Sequence, residues 1–152
     1  MSVDQAYNYK KINDLVSTAG LLNEDLLKQL KSEGYEAVIS LLPFESEYAI
    51  ENEPAIVEAQ NIIFEYVPVD FLAPSEGDYR LFSELMTKLS HKKIMVHCAA
   101  NYRVSAFYAI YSHLNHDWTV AQAKEHIASI WDLAEYPVWN AFVTKFLGTK
   151  SR

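Results

Sequence analysis

Lys93-Ile94-Met95-Val96-His97-Cys98-Ala99-Ala100-Asn101-Tyr102-Arg103 passes from an apolar run, through small and polar residues, into a helix-forming stretch. Lys93 to His97 reads as a short buried strand. From about Arg103 a helix is already running, with Val104, Phe107, Tyr108 and Tyr111 placed on one side. The turn between them is tight. Successive backbone N–H groups in such a turn point into one concavity, and the helix N-terminus adds a partial positive charge, so the segment predicts an anion-binding loop at Ala99, Ala100, Asn101 and Tyr102. Arg103 can add a fork of donors matched to two phosphoryl oxygens. The same dipoles favour a thiolate at Cys98, which makes it the candidate nucleophile.

Outward from this loop, apolar periodicity alternates between strand and helix. Tyr7 to Gly20 reads as short strands with a turn near Asn13-Asp14. Asn23 is placed as an N-cap, Leu26, Leu27 and Leu30 form a helical stripe, and Gly34 ends it. Ala37 to Leu42, stopped by Pro43, has the nearly continuous apolar character of a strand buried on both faces. The acidic stretch Glu45 to Glu53 predicts an exposed loop, and a short helix follows from about Pro54 to Gln60. Ile62 to Val69 is the next strand and leads into the loop Asp70-Phe71-Leu72-Ala73-Pro74. Ser75 and Asp78 have capping-box spacing ahead of a helix lined by Tyr79, Phe82, Leu85, Met86 and Leu89. Thr119 and Gln122 form another such box, and the last helices are expected over Thr119 to Leu133 and Pro137 to Leu147.

The expectation is one α/β domain over residues 1–152: a central, mostly parallel sheet flanked by helices. Ligands in such sheets bind at the carboxyl ends of strands, where Cys98 falls. The net charge of −7 disfavours nucleic acid and anionic membrane as partners. No long uncharged apolar run predicts a membrane span, and no basic-then-apolar start reads as a secretory signal. The single cysteine excludes an intrachain disulfide and multi-cysteine zinc sites, and a lone reactive thiol points to the cytoplasm. His113 and His116 have the i, i+3 spacing of a metal pair, but no carboxylate motif accompanies them, so no metal or other cofactor is expected.

His97-Cys98 followed by Arg103 and Ser105 resembles the signature of the cysteine-dependent protein tyrosine phosphatase superfamily, nearest to its dual-specificity branch. Together with Thr18-Ala19-Gly20 to Pro43, the chain also resembles a bacterial phosphatase-like family long catalogued as a domain of unknown function. The loop departs from the superfamily pattern in having four residues between Cys98 and Arg103, not five, and Asn101 where many relatives have glycine. Asn is among the residues that readily take φ > 0. The resemblance implies a phosphatase-like fold and a phosphocysteine intermediate on Cys98. Arg103 and the loop would hold the phosphoryl group, and an upstream aspartate, Asp70, would act as general acid. Asp78 and Glu76 are rivals for that role. It assigns support of the loop to His97. Ser105 either donates to the sulfur or makes a local backbone bond as a first-turn helix residue. The substrate would be a phosphorylated protein or a small-molecule phosphate ester. Two other readings fit the short loop: a rhodanese-like sulfurtransferase, and a non-catalytic phosphate- or phosphopeptide-binding module.

Overall fold

The computed structural model of the protein describes the fold of residues 2–150. Five strands form one sheet: β1 (Lys10–Lys11), β2 (Val16–Ala19), β3 (Ala37–Ser40), β4 (Ile63–Tyr66) and β5 (Ile94–His97). Their spatial order is β1-β2-β5-β3-β4. Only β1 runs antiparallel, as the return arm of a hairpin to β2; β2 and β3 both pair parallel to β5, and β4 pairs parallel to β3. The architecture is therefore the mostly parallel α/β sheet that the sequence predicts.

Burial on two faces explains the apolar runs. Along β3 and β5, Val38 and Met95 turn into a core with Leu26, Leu27 and Val57. Ile39, Ile94 and Val96 turn into a larger core with Phe82, Phe107 and Trp139. The first face is covered by α1 (Glu24–Leu27) and α2 (Glu53–Glu58); the second lies under α3 (Glu76–Lys88), α4 (Tyr102–Asn115), α5 (Val120–Ala128) and α6 (Pro137–Lys150). Caps fall where the sequence places them: Asn23 accepts from the Leu26 amide, Ser75 from Asp78, and Thr119 from Gln122. Gly34 ends its turn at φ 90°.

Four expectations need correction. Strand β4 stops at Tyr66 and does not run to Val69, because its ladder partner β3 ends at Ser40, the residue in register with Tyr66. The helix begun at Val120 ends at Ala128, and a 3-10 turn at Leu133–Glu135 precedes α6. Helix α4 is not one-sided: every residue from Val104 to His113 is buried, so it runs through the interior. Most consequential is Glu53, expected in an exposed acidic loop. It is buried, at 3% exposure, in the first turn of α2, while Glu45, Glu47 and Glu51 are exposed as expected. Among the described residues no helix is long and apolar enough to cross a membrane.

Candidate active site

The loop from His97 to Arg103 joins β5, the middle strand, to the interior helix α4. Cys98 is fully buried at its base. Asn101 takes φ 66° just ahead of α4, the left-handed turn that its short amide side chain tolerates. That conformation is held from below. Asn101 Nδ2 donates to the Asn8 carbonyl at 2.9 Å and to Thr18 Oγ1 at 3.1 Å. Asn8 Nδ2 donates in return to the Ala100 carbonyl at 2.9 Å. The amides of Ala99, Ala100 and Asn101 donate to no group among the described residues. Three neighbouring donors without acceptors are the chemical requirement for holding an anion.

Gly20 lets the chain approach this closely. The Leu21 amide donates to the Ala99 carbonyl at 2.9 Å and the Gly20 amide to that of Tyr7 at 2.7 Å. A Cβ on Gly20 would lie 2.7 Å from the Ala99 oxygen and 2.9 Å from both Ala100 Cα and the Tyr7 oxygen. All three are backbone atoms that cannot swing aside. Gly20→Ala is expected to cost about 1–3 kcal/mol as the loop is pushed off β2. Urea titration of the two proteins measures the difference, and equal midpoints would mean the loop yields freely.

Arg103 is half-buried at the other end of the loop. Its Nη1 donates to the Val69 carbonyl at 2.9 Å, and its guanidinium lies 5.5 Å from the centre of the Phe71 ring. Its Nε is buried and has no hydrogen-bond partner among the described residues. Trp139 Nε1 donates to the Phe71 carbonyl at 2.7 Å. The carbonyls on both sides of Asp70 are thus anchored to the elements around the loop. Asp70 itself is exposed, with Oδ1 accepting from the Leu72 amide at 2.9 Å. The rivals lie in the first turn of α3, where the Asp78 amide donates to Ser75 Oγ and the Glu76 carboxylate pairs with Lys145. Tyr102 stacks on Trp131 at 4.4 Å between ring centres, so it forms a wall beside the loop.

Ser105 takes the local bond of its two predicted alternatives. Its hydroxyl donates to the Tyr102 carbonyl at 3.0 Å and accepts from Trp131 Nε1 at 2.9 Å, so its proton is not aimed at the sulfur. His97 lies under the loop, fully buried, with Nδ1 3.3 Å from the Cys98 carbonyl and Nε2 2.5 Å from Glu53 Oε2. Burial alone would lower the imidazole pKa. The charge of Glu53, its hydrogen bond and the Cys98 carbonyl outweigh burial and raise it. Sequence reasoning missed Glu53; only its helix-starting Glu-Pro context hinted that it leaves the solvated loop. Of the His113–His116 pair, His113 Nδ1 is 2.7 Å from the Trp118 carbonyl, and no group of three or more metal-ligating side chains occurs among the described residues.

A central, mostly parallel sheet, a cysteine at the carboxyl end of its middle strand and an interior helix with an arginine in its first turn define the fold class of the cysteine-dependent phosphatases. Solved structures agree. TpbA of P. aeruginosa, in complex with pTyr, superposes with a TM-score of 0.72 at 14% identity, over 90% of this chain and 82% of its own. Kinase associated phosphatase (KAP) gives 0.74 at 15%, over 88% and 86%. At such identities the likeness concerns the fold. A protein of Shewanella putrefaciens CN-32 described as "Putative phosphatase (DUF442)" is similar throughout, with a TM-score of 0.84 at 31% identity, over 95% of this chain and 91% of its own. The chain belongs to this DUF442 family. No protein-family model and no curated protein sequence matches it.

Proposed function

We propose that the protein hydrolyses a phosphate monoester through a phosphocysteine intermediate on Cys98. The observation that carries this reading is the loop itself. Buried Cys98 is followed by three amides without acceptors and by Arg103, whose Nε is buried and unpartnered. A phosphoryl group satisfies all these donors at once, and its charge in the transition state is what such fixed dipoles stabilise.

The reaction runs in two steps. The Cys98 thiolate attacks phosphorus, an S–P bond forms, the P–O bond to the leaving group breaks, and Asp70 gives its proton to the departing oxygen. Water then attacks phosphorus while the Asp70 carboxylate takes its proton. The S–P bond breaks, releasing inorganic phosphate and restoring the thiolate and the protonated acid. His97, bonded to both the Cys98 carbonyl and Glu53, fixes the base of the loop beside the nucleophile, and the Glu53 charge favours its protonated form. The short loop is compensated by its support from Asn8, Thr18 and Gly20, which fixes its amides without a further residue. The substrate is a phosphorylated protein or a small-molecule phosphate ester, and the chemistry needs no metal.

Rapid mixing with an aryl phosphate tests the mechanism. A burst of phenol equal to the enzyme concentration, with phosphate trapped on Cys98 by acid quench and located by peptide mass, is the expected result. No burst and no trapped phosphocysteine would leave a phosphate-binding module. Asp70→Asn is expected to slow the release of a poor leaving group by about a hundredfold or more, and that of a good leaving group much less. Equal slowing of both would remove Asp70 from the role of acid.

A further inference from the structure

The free edge of the sheet carries a second surface. Strand β4 is the last in the sheet and pairs only with β3. The Ile63 and Val67 amides donate inward to the carbonyls of Glu36 and Ser40. In a parallel ladder the alternate amides, those of Phe64 and Tyr66, turn outward. A row of such groups is a template for an added strand.

Beside it lies an aromatic ladder. Phe44, 48% exposed, stacks on Tyr66 with ring centres 3.9 Å apart and planes within 5°, and Phe64 continues the stack at 6.5 Å from Phe44. The Phe44 amide donates to the Tyr66 hydroxyl at 2.8 Å, which pins the ladder to the loop after β3. Next to Phe44 is a groove of about 400 Å³ lined by Phe44, Ala49, Ile50, Pro54, Glu51 and Asn52. Four of these six residues are apolar, and Glu51 is the one charged side chain among them.

The segment that builds this edge is acidic, and Lys88 of α3 pairs with one of its glutamates, Glu65 of β4. Between Lys31 and Arg80 the chain has no lysine or arginine and carries eleven aspartates and glutamates. Glu45, Glu47 and Glu51, exposed on the loop beside the ladder, have no cationic partner among the described residues. A second copy of the chain would set these glutamates against one another. A basic partner would neutralise them.

We infer that the β4 edge, with the Tyr66–Phe44–Phe64 ladder and the exposed glutamates Glu45, Glu47 and Glu51, docks an extended segment of a partner protein in which lysines or arginines alternate with apolar side chains. The backbone of that segment would pair with Phe64 and Tyr66, one apolar side chain would enter the groove beside Phe44, and its cations would face the glutamates. This surface is independent of the chemistry at Cys98, and its test reads binding alone.

Selection of a displayed random dodecapeptide library on the intact protein provides the test. Enriched sequences are expected to be rich in lysine or arginine alternating with apolar residues. They should bind about tenfold or more weakly to the Glu45→Gln, Glu47→Gln, Glu51→Gln triple variant and to Phe44→Ala, a loss of about 1.4 kcal/mol or more. Their binding should slow hydrogen exchange at the Phe64 and Tyr66 amides and weaken as salt rises. Failure to enrich any sequence overturns the inference. So does enrichment of acidic or neutral sequences, binding indifferent to both variants, unchanged exchange at those amides, or self-association of the protein through β4.

Discussion

Cys98→Ser is expected to abolish turnover while leaving the anion cradle in place. The hydroxyl that replaces the thiol is a far weaker nucleophile, and neither Ser105 nor His97 Nε2 is placed to activate it: the Ser105 hydroxyl is committed to the Tyr102 carbonyl and to Trp131, and His97 Nε2 faces Glu53. Phosphate release should fall on the order of 10⁴-fold or more, to background. The donors proposed for phosphate belong to the backbone of Ala99, Ala100 and Asn101 and to Arg103, so inorganic phosphate should still bind to the serine variant. Calorimetric titration with phosphate checks the second half of the expectation. A variant that loses turnover and phosphate binding together has lost the loop, and Cys98→Ala then serves as the isolating substitution. Residual turnover in both variants would assign the chemistry elsewhere.

Removing Glu53 should produce the largest loss of stability. Its carboxylate and the His97 ring are both out of water, at 4% and 0% side-chain exposure. Taking away one member of such a buried pair costs about 3–5 kcal/mol, because the other is left without its counter-charge. Glu53→Ala is expected near that range, and Glu53→Gln, which keeps a hydrogen-bonding group, below it. The pair also makes stability depend on pH. The His97 pKa is raised from its ordinary 6.5 in the folded protein, so the folded state binds the proton more tightly than the unfolded chain. The resulting stability is fully present below about pH 6.5 and is lost as pH rises through the folded-state value. The gap between wild type and Glu53→Gln, measured by urea titration, should therefore narrow from mildly acidic to alkaline pH. A gap that stays constant, or widens, would show that His97 is not held in its charged form by Glu53.

The sequence made the sheet and its loop legible because their signals are local. The apolar run Ile94 to Val96, the Asn at the left-handed position 101 and the caps at Asn23, Ser75 and Thr119 each act within a few residues of where they stand. What escaped depends on contacts across the chain. Glu53 meets His97 from 44 residues away, and its neighbours Glu45, Glu47 and Glu51 are solvated, so composition assigned it to their loop. Ser105 had two plausible bonds; Trp131, 26 residues on, takes its lone pair while its proton goes to the Tyr102 carbonyl. For α4 the signal is local: Ala106, Phe107, Tyr108, Ala109 and Ile110 are consecutive nonpolar or aromatic residues that leave no polar stripe, the pattern of a helix enclosed on all sides.

The mutual amide bonds of Asn8 and Asn101 have a consequence for the order in which the protein assembles. They join positions 92 and 93 residues apart, and β2 meets β5 across a comparable span. Closing so long a segment is an entropic step that local helices cannot anticipate, and topologies dominated by such closures fold slowly. A chain that has gained its helices but has not yet brought its first twenty residues to the middle strand has no floor beneath the loop. Recovery of phosphate binding after refolding should therefore follow the slowest phase, behind the return of helical signal, so that competence arrives only with the last long-range closure.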